Sequence, residues 1–188
     1  MISIISIFAL VLLVLAALAA IAVVVLIILA AVFTKAPFVP VGKKTIPRIV
    51  QALNIKPNSQ VYDLGCGDAR VLIAAWREQG QAEYFGLDKD WLPIICSWWK
   101  IFLVGRPKNI TVLKRDFFKQ DLSRATHIFV YLFPKLMDQL LPKLQAELKP
   151  GAKLVSCDFC FSNKKPAQVI NLNRPRKSLG KKLFIYEF

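Results

Sequence analysis

The residues that most clearly could form a functional site are an aspartate and two glycines in the stretch Val61–Arg70, VYDLGCGDAR. Its apolar start predicts a buried strand, and the residues after the glycines predict the first turn of a helix. Gly65 and Gly67 let the backbone bend sharply and approach a ligand closely, because they carry no Cβ. The N–H groups at the helix start would then point at that ligand. An ordinary strand–turn–helix is the alternative, and Arg70 stands where a dinucleotide turn would have a third glycine.

Two further aspartates lie at the ends of predicted strands, as Asp63 does. Asp88 follows Glu83–Leu87, 21 residues past Gly67, and Asp116 follows Ile110–Lys114. In nucleoside-binding α/β folds, an acidic residue at the position of Asp88 binds the ribose hydroxyls. One acidic residue at a strand end is usually a helix cap or a solvated turn. Three of them beside a glycine turn favour a binding site at the carboxyl ends of the strands.

The elements that must position these residues alternate between strand and helix. This alternation predicts a parallel sheet covered by helices on both faces, an α/β fold of Rossmann-like type. The other predicted strands are Gln60–Leu64, Ala125–Phe133, Lys153–Cys157 and Leu183–Phe188, and the predicted helices are Thr45–Leu53, Ala69–Gln79, Trp91–Phe102 and Leu136–Leu148.

The N-terminal segment Ile2–Phe33 contains no charged residue. It is longer than the roughly 18 apolar residues that indicate a membrane span. A secretory signal would have an apolar region of roughly 7–15 residues after a basic segment, so an uncleaved transmembrane anchor is the preferred interpretation. The basic residues that follow the span predict that the rest of the chain lies on the cytoplasmic side, or on the matrix side in a mitochondrion: Lys35, Lys43, Lys44 and Arg48.

Three regions follow from these patterns: an anchor at 1–34, a proline-containing linker at 35–44 and an α/β domain at 45–188. The whole chain has 26 basic and 12 acidic residues, a net charge of +14, which suggests an anionic partner. Because an anchor is predicted, anionic lipid headgroups are a simpler partner than nucleic acid, which we do not expect. The basic residues near the C-terminus are the predicted headgroup site: Lys164, Lys165 and those between Arg174 and Lys182.

Cysteine and histidine usage argues against metal and disulfide chemistry. The chain has four cysteines with no disulfide framework, which suits a reducing compartment. Cys157 and Cys160 form a single C-x-x-C pair, and His127 is the only histidine. A zinc site would need a second pair of ligands, so no metal site is expected.

The order Asp-x-Gly-x-Gly at the glycine turn resembles motif I of the class I S-adenosylmethionine (SAM)-dependent methyltransferases. Pro37–Pro40 (PFVP) after a hydrophobic anchor, followed by Asp63–Arg70, is similar to a narrower family. These are the membrane-anchored protein-lysine methyltransferases that modify the ATP synthase c subunit and the adenine nucleotide translocase in mitochondria. The similarity continues through Phe129–Pro134 and Val155–Phe159. The chain departs from the family pattern at Val41-Gly42, Ala69 and Asp158.

The resemblance implies SAM as cofactor and a membrane protein as substrate. It places Asp63 at the positively charged methionine end of the cofactor and Asp116 near the adenine amino group. Tyr131, Phe133 and Pro134 would line the acceptor channel, although aromatic residues at strand ends are often only core. The residues implied for cofactor binding are Phe38, Pro40, Asp63, Gly65, Cys66, Gly67, Asp88 and Asp116.

Methyl transfer to an amine requires a neutral nitrogen held in line with the methyl group. A lysine amine has a reference pKa of about 10.4, so desolvation by apolar and aromatic walls favours its reactive form. Little acid–base machinery is needed, and the scarcity of histidine does not exclude an enzyme. We therefore predict a SAM-dependent methyltransferase that methylates lysine on a membrane protein. The alternatives are a lipid, quinone or RNA acceptor, or a membrane scaffold that binds SAM without turnover.

Overall fold

The computed structural model describes residues 4–33, 39–173, 175 and 179–188. The chain forms two compact units, Met1–Phe38 and Val39–Phe188. The first contains helix α1, Ile4–Phe33. Within α1, Ile7–Ile27 is long and apolar enough to cross a membrane, judged by length and composition alone. The predicted region boundaries at 34 and 44 stay predictions.

A seven-stranded mixed sheet forms the centre of the second unit, with the strand order β3-β2-β1-β4-β5-β7-β6. The first five strands are parallel, and β7 lies antiparallel between β5 and β6. The strands are β1 Gln60–Leu64, β2 Glu83–Asp88, β3 Ile110–Lys114, β4 His127–Val130, β5 Lys153–Cys157, β6 Gln168–Asn171 and β7 Lys182–Glu187.

Strand β7 alone departs from the predicted parallel arrangement, since it runs antiparallel to both β5 and β6. A parallel connection needs a crossover of a dozen or more residues, usually through a helix. Only about ten residues separate Asn171 from Lys182, so β7 returns antiparallel to β6. Strand β6 itself was not predicted, because it is an edge strand with no buried residue and its short sequence QVIN contains no apolar run.

Helices cover both faces of the sheet, as predicted. Alternate side chains of each strand point to opposite faces. Ile128 and Val130 of β4 pack with helix α5, whereas Phe129 packs on the opposite face with helix α2. Helices α3 and α4 lie on the α2 side. The helices are α2 Ile46–Leu53, α3 Arg70–Glu78, α4 Trp91–Leu103 and α5 Pro134–Glu147, with a single 3₁₀ turn at Phe117–Lys119.

The connection from β4 to α5 differs from its prediction. The predicted strand Ala125–Phe133 is shorter, because only His127–Val130 pair with both neighbouring strands. Helix α5 begins at Pro134, where the fixed φ of proline suits the first helical position. As a result, Tyr131 and Phe133 lie beyond the carboxyl end of β4 and outside the sheet.

Candidate active site at the carboxyl edge of the sheet

The glycine turn is fixed to the end of the neighbouring strand by backbone hydrogen bonds. The N–H groups of Gly65 and Cys66 donate to the Leu87 carbonyl at 2.8 and 3.0 Å. Gly65 and Gly67 have φ values of 83° and 58°, in the left-handed region where a side chain causes strain. The buried Ser97 hydroxyl of α4 donates to the Gly67 carbonyl at 2.6 Å. The turn is therefore held in one conformation from two sides.

Asp88 connects the end of β2 to this turn. One carboxylate oxygen accepts from the Gly67 N–H at 3.1 Å, and the other accepts from the Asp90 N–H at 3.1 Å. Burial raises the pKa of Asp88, and the hydrogen bonds from Asp90 and Gly67 oppose that rise. Because a carboxylate accepts about four hydrogen bonds, Asp88 keeps acceptor capacity for hydroxyl groups of a ligand.

Asp63 is a buried carboxyl group without a compensating partner. The residue is 2% exposed, and within the part of the chain that the structure describes no hydrogen bond or ion pair joins its carboxyl group to another residue. Burial raises its pKa well above the usual range, and the charges of Asp88 and Asp68 raise it further. Since buried polar groups are nearly always paired, this arrangement indicates a site for a cationic group of a ligand.

Asp116 follows β3, the next strand along the same edge. One carboxylate oxygen accepts from the Phe118 N–H at 3.0 Å and so caps the 3₁₀ turn. The other lies 3.4 Å from the Lys89 ammonium, which is largely exposed. Because β3, β2 and β1 are consecutive in the sheet, the structure brings Asp116, Asp88 and Asp63 to one edge, as their spacing in the sequence predicts.

Asp68 and Arg70 form an ion pair that the sequence analysis did not single out. The Arg70 guanidinium donates to both carboxylate oxygens of Asp68, at 2.7 and 2.5 Å, and to the Val41 carbonyl at 2.9 Å. Lys100 of α4 also pairs with Asp68. Burial raises the pKa of Asp68, but the hydrogen bonds and charges of Arg70 and Lys100 outweigh it and lower the pKa to about 2. Arg70 thus attaches the residues before α2 to the glycine turn.

The other three side chains predicted to bind cofactor, those of Phe38, Pro40 and Cys66, do not lie together. Phe38 lies outside the described residues. Pro40 is exposed, one residue before the Val41 carbonyl that Arg70 binds. The Cys66 thiol packs into the buried cluster between the sheet and α3, where burial raises its pKa.

The three residues predicted to line an acceptor channel lie at the end of β4. The Tyr131 ring stacks on Phe159 at 6.0 Å between centroids, and the Phe133 ring lies 5.8 Å from that of Phe159. Phe133 is 47% exposed, and Pro134 begins α5. Burial and the nearby Asp158 raise the pKa of Tyr131 to about 12, so its hydroxyl stays protonated at neutral pH. These rings form an aromatic cluster beside the glycine turn, because β4 is the neighbour of β1.

Asp158 fixes the segment that precedes β7. Its carboxylate accepts from the backbone N–H groups of Gly180, Lys181 and Lys182, at 2.6, 2.6 and 3.2 Å. Asp158 has a φ of 61°, which asparagine and aspartate tolerate better than most residues. The departure from the family pattern at this position therefore has a local structural role.

Comparison with known proteins identifies the family of this site. A family model for the ANTKMT methyltransferase domain matches residues 63–168, more than half of the chain. A protein-lysine N-methyltransferase of Saccharolobus islandicus is 32% identical over 136 residues, which cover 72% of this chain and 84% of that protein. The chain belongs to the ANTKMT methyltransferase domain family. A Xenopus laevis lysine N-methyltransferase named for the ATP synthase c subunit is 30% identical over 133 residues, 71% of this chain but only 58% of that protein.

A solved structure agrees with this membership in the ANTKMT methyltransferase domain family. An RNA methyltransferase from Salinibacter ruber, crystallised with S-adenosyl-L-homocysteine, superposes with a TM-score of 0.73 at 28% identity. The match covers 79% of this chain and 93% of that one. The protein is a SAM-dependent methyltransferase with a Rossmann-like sheet.

The residues at the cofactor end of this methyltransferase fit SAM. The unpartnered Asp63 would receive the ammonium group of the methionine end, and Asp88 would accept from the ribose hydroxyls. A Cβ at Gly65 would lie only 3.2 Å from the Leu132 side chain, so this position of the turn requires glycine. No group of three metal-binding side chains occurs among the residues that the structure describes.

Proposed function

We propose that this methyltransferase transfers a methyl group from SAM to a lysine amine of a membrane protein. The observation that carries this proposal is the 32% identity to the protein-lysine N-methyltransferase, over 84% of that protein. The aromatic cluster at the end of β4 supports it, since rings desolvate an amine and so favour its neutral form.

The two parts of the site have separate tasks in this reaction. SAM, when bound, supplies a methyl group on a positively charged sulfur. Asp63 and Asp88 hold the cofactor at the carboxyl ends of β1 and β2. This position is beside the point between β1 and β4 where the strand order reverses, and ligands of such sheets bind there. Phe133 and Phe159 exclude water from the lysine side chain, and the protonated Tyr131 hydroxyl orients the amine. Holding the two groups in line contributes up to about 7–11 kcal/mol to lowering the barrier.

The anchor belongs to the same proposal. Ile7–Ile27 would span the membrane, and the basic residues after it would keep the catalytic domain on the cytoplasmic or matrix side. An anchored enzyme meets membrane substrates at a raised local concentration. Anionic headgroups would contact the C-terminal basic residues Lys164, Lys165, Lys181 and Lys182; Arg174, Arg176 and Lys177 lie outside the described residues.

RNA is the second candidate acceptor. The structural relative from Salinibacter ruber is named an RNA methyltransferase, and the net charge of +14 suits a polyanion. The lysine acceptor is favoured because the protein-lysine relative matches over 136 residues and 84% of its length, whereas a relative named a ribosomal RNA methyltransferase matches over 87 residues and 31% of its length.

A labelling experiment distinguishes these acceptors. Methyl-labelled SAM and the purified full chain are added to membranes from a strain that lacks the protein, and portions are treated with protease, nuclease or lipid solvent. We expect one protease-sensitive labelled band whose hydrolysate contains methyl-lysine. The Asp63→Ala variant should not label it, whereas Glu83→Gln, which changes an exposed carboxylate at the far end of β2, should. If the label appeared only in the RNA or lipid fraction, the acceptor would be RNA or lipid and the proposal of a lysine acceptor would be wrong.

A further inference from the structure

Helix α4 presents a second apolar face, directed away from the core. Its inner face is buried against the sheet through Pro93, Ile94, Ser97 and Ile101. Its outward-facing side chains recur at helical spacing and are each between 48% and 64% exposed. We define the α4 outer face as Trp91, Leu92, Ile95, Trp98, Trp99, Phe102 and Leu103.

This composition is unusual for a helix at the surface of a water-soluble domain. Such helices carry polar and charged residues on the side that faces solvent. Lys100 is the only charged residue in α4, and it pairs with Asp68 at the glycine turn. Contiguous apolar surface of this kind indicates an interaction site.

The rings of the α4 outer face are already ordered. Trp91 and Trp98 meet edge to face with centroids 6.3 Å apart, and the Trp99 and Phe102 rings lie 5.9 Å apart. The Trp98 indole N–H donates to the Val112 carbonyl at 3.2 Å. Those of Trp91 and Trp99 have no hydrogen-bond acceptor within the described parts of the chain. Contact with this face therefore requires little ordering of side chains, and two indole N–H groups remain available to an acceptor.

Cations lie at both ends of this apolar face. The Lys114 ammonium lies over the Trp91 ring at 4.7 Å, and the Arg106 guanidinium lies over the Phe102 ring at 5.3 Å. The segment Trp91–Arg115 contains five basic residues and no acidic one. Tryptophan flanked by basic side chains suits the boundary between lipid tails and anionic headgroups.

We propose that the α4 outer face inserts into the headgroup region of a bilayer that contains anionic lipid. The headgroup oxygens would accept from the free indole N–H groups, and the flanking cations would neutralise the lipid charge. The short connection between α1 and the domain supports the bilayer as the occupant of this face. This part of the argument rests on the anchor in the proposed function. Val39 is only six residues after Phe33, a reach of at most about 22 Å, so an anchored domain stays near the membrane.

Docking through this face would position the active site directly. Ser97 and Lys100, both on α4, contact the glycine turn through Gly67 and Asp68. A bilayer against the outer side of α4 would therefore hold the glycine turn close to the membrane surface, where a lysine of a membrane protein emerges.

The test uses quenching of tryptophan fluorescence by brominated lipid. The four tryptophans of the chain are Trp76, Trp91, Trp98 and Trp99, and α1 contains none. Full-length protein is reconstituted into vesicles of equal parts phosphatidylcholine and phosphatidylglycerol, with or without bromine on the acyl chains. We expect strong quenching by the brominated lipid and little quenching by iodide in solution. A variant with Trp91, Trp98 and Trp99 replaced by Phe should lose the lipid quenching, since Trp76 packs partly buried on the core.

A milder pair of variants checks that the face itself is responsible. Phe102→Glu should reduce lipid quenching by about twofold or more, because a charge on this face opposes insertion. Val169→Glu, at an exposed apolar position of β6, is the matched control and should leave quenching unchanged.

Flotation of the vesicles separates the two ways in which the inference can fail. Protein that floats with the vesicles but shows no lipid quenching would overturn the α4 surface and leave the anchor and the methyltransferase intact. Tryptophans protected from both quenchers would mean that a protein partner or a second copy covers the face, which also overturns it. Protein that does not float would overturn the anchor and this surface together.

Discussion

The two halves of the carboxyl edge are built in different ways. At the ends of β1, β2 and β3, backbone N–H groups and carboxylates form the site: the glycine turn is bonded to Leu87, and Asp88 binds the turn. At the ends of β4 and β5, aromatic rings form it, and Asp158 accepts hydrogen bonds from a segment that is distant in the sequence.

In the proposed function, this difference separates cofactor binding from acceptor recognition. The cofactor half depends on backbone positions and on a buried charge, so substitutions there should change affinity for SAM. The acceptor half depends on side chains that stand outside the sheet, so substitutions there should change turnover or local stability while SAM binding persists. Each variant below tests whether the two halves are independent.

The Asp63→Asn variant should have the largest effect, and its two consequences should have opposite signs. Losing the negative charge that would face the cofactor ammonium should weaken SAM binding by about ten- to a hundredfold. The apo protein should become more stable, because burial disfavours the ionised carboxylate and the variant has a neutral amide in its place. Calorimetric titration and thermal unfolding measure the two effects.

The pH dependence of this variant has a defined sign. Because the pKa of Asp63 is raised, the folded protein holds a proton that the unfolded chain releases, and stability falls as pH rises through this range. Asparagine does not titrate, so the stability advantage of Asp63→Asn should grow as pH rises from the ordinary carboxyl range toward neutrality. Equal unfolding temperatures of the variant and the wild type at every pH would contradict the unpartnered state of Asp63.

The Asp158→Asn variant tests the acceptor half. One of its oxygens becomes an NH₂ group facing the backbone N–H groups that precede β7, which should destabilise the fold by about 1–3 kcal/mol. Turnover on the membrane substrate should fall while SAM affinity stays within about twofold. Urea unfolding and isothermal titration measure these effects.

A matched substitution, Asp138→Asn, controls for the loss of a carboxylate cap. Asp138 accepts from the N–H and hydroxyl of Ser162 at an exposed position. This variant should lose stability without the loss of turnover. If Asp158→Asn also weakened SAM binding strongly, the two halves would be coupled.

The Arg70→Lys variant should have a smaller effect on the cofactor half. A lysine ammonium cannot bind both oxygens of Asp68 and the Val41 carbonyl in the geometry of the guanidinium. We expect SAM affinity to fall by about three- to tenfold, since the segment before α2 loses its attachment to the turn. Arg77→Lys, at an exposed position of the same helix, is the control, and an equal loss of affinity there would argue against a role for the Val41 contact.

The sequence predicts those parts of the structure that depend on local patterns. The bounds of β1, β3 and β5 were predicted to the residue, because each is an apolar run between turn residues. Their positions at strand ends also predicted that Asp63, Asp88 and Asp116 lie at one edge of the sheet. Their roles in ligand binding stay predictions. The Arg70–Val41 contact and the Asp158 contacts join residues 22 to 29 positions apart and leave no periodicity to read.

Strand β6 and the α4 outer face were harder to predict from the sequence, for related reasons. An exposed edge strand has no alternation of buried and exposed residues. In α4, apolar residues on all sides predict a helix but do not indicate which face packs on the sheet. The arginine at position 70 was the available signal for the missed ion pair, because it stands two residues after Asp68 where a glycine is common in dinucleotide turns.

The smallest effect on catalysis should come from His127, at the amino end of β4 and thus at the opposite edge of the sheet from the site. Burial, and to a smaller extent the charge of Lys153, lower its pKa to about 4. The imidazole is therefore neutral at the pH of the reaction. We expect His127→Gln to keep the turnover and the pH–rate profile of the wild type between about pH 5.5 and 8.

His127 should nevertheless affect the stability of the fold at low pH. A depressed histidine pKa means that the unfolded chain takes up a proton first, so the wild type loses stability as pH falls from about 6.5 toward 4. The His127→Gln variant should lose less stability over that window, as measured by urea unfolding at each pH. A pH–rate profile that changed in the variant would connect the two edges of the sheet and would contradict the confinement of catalysis to the carboxyl edge.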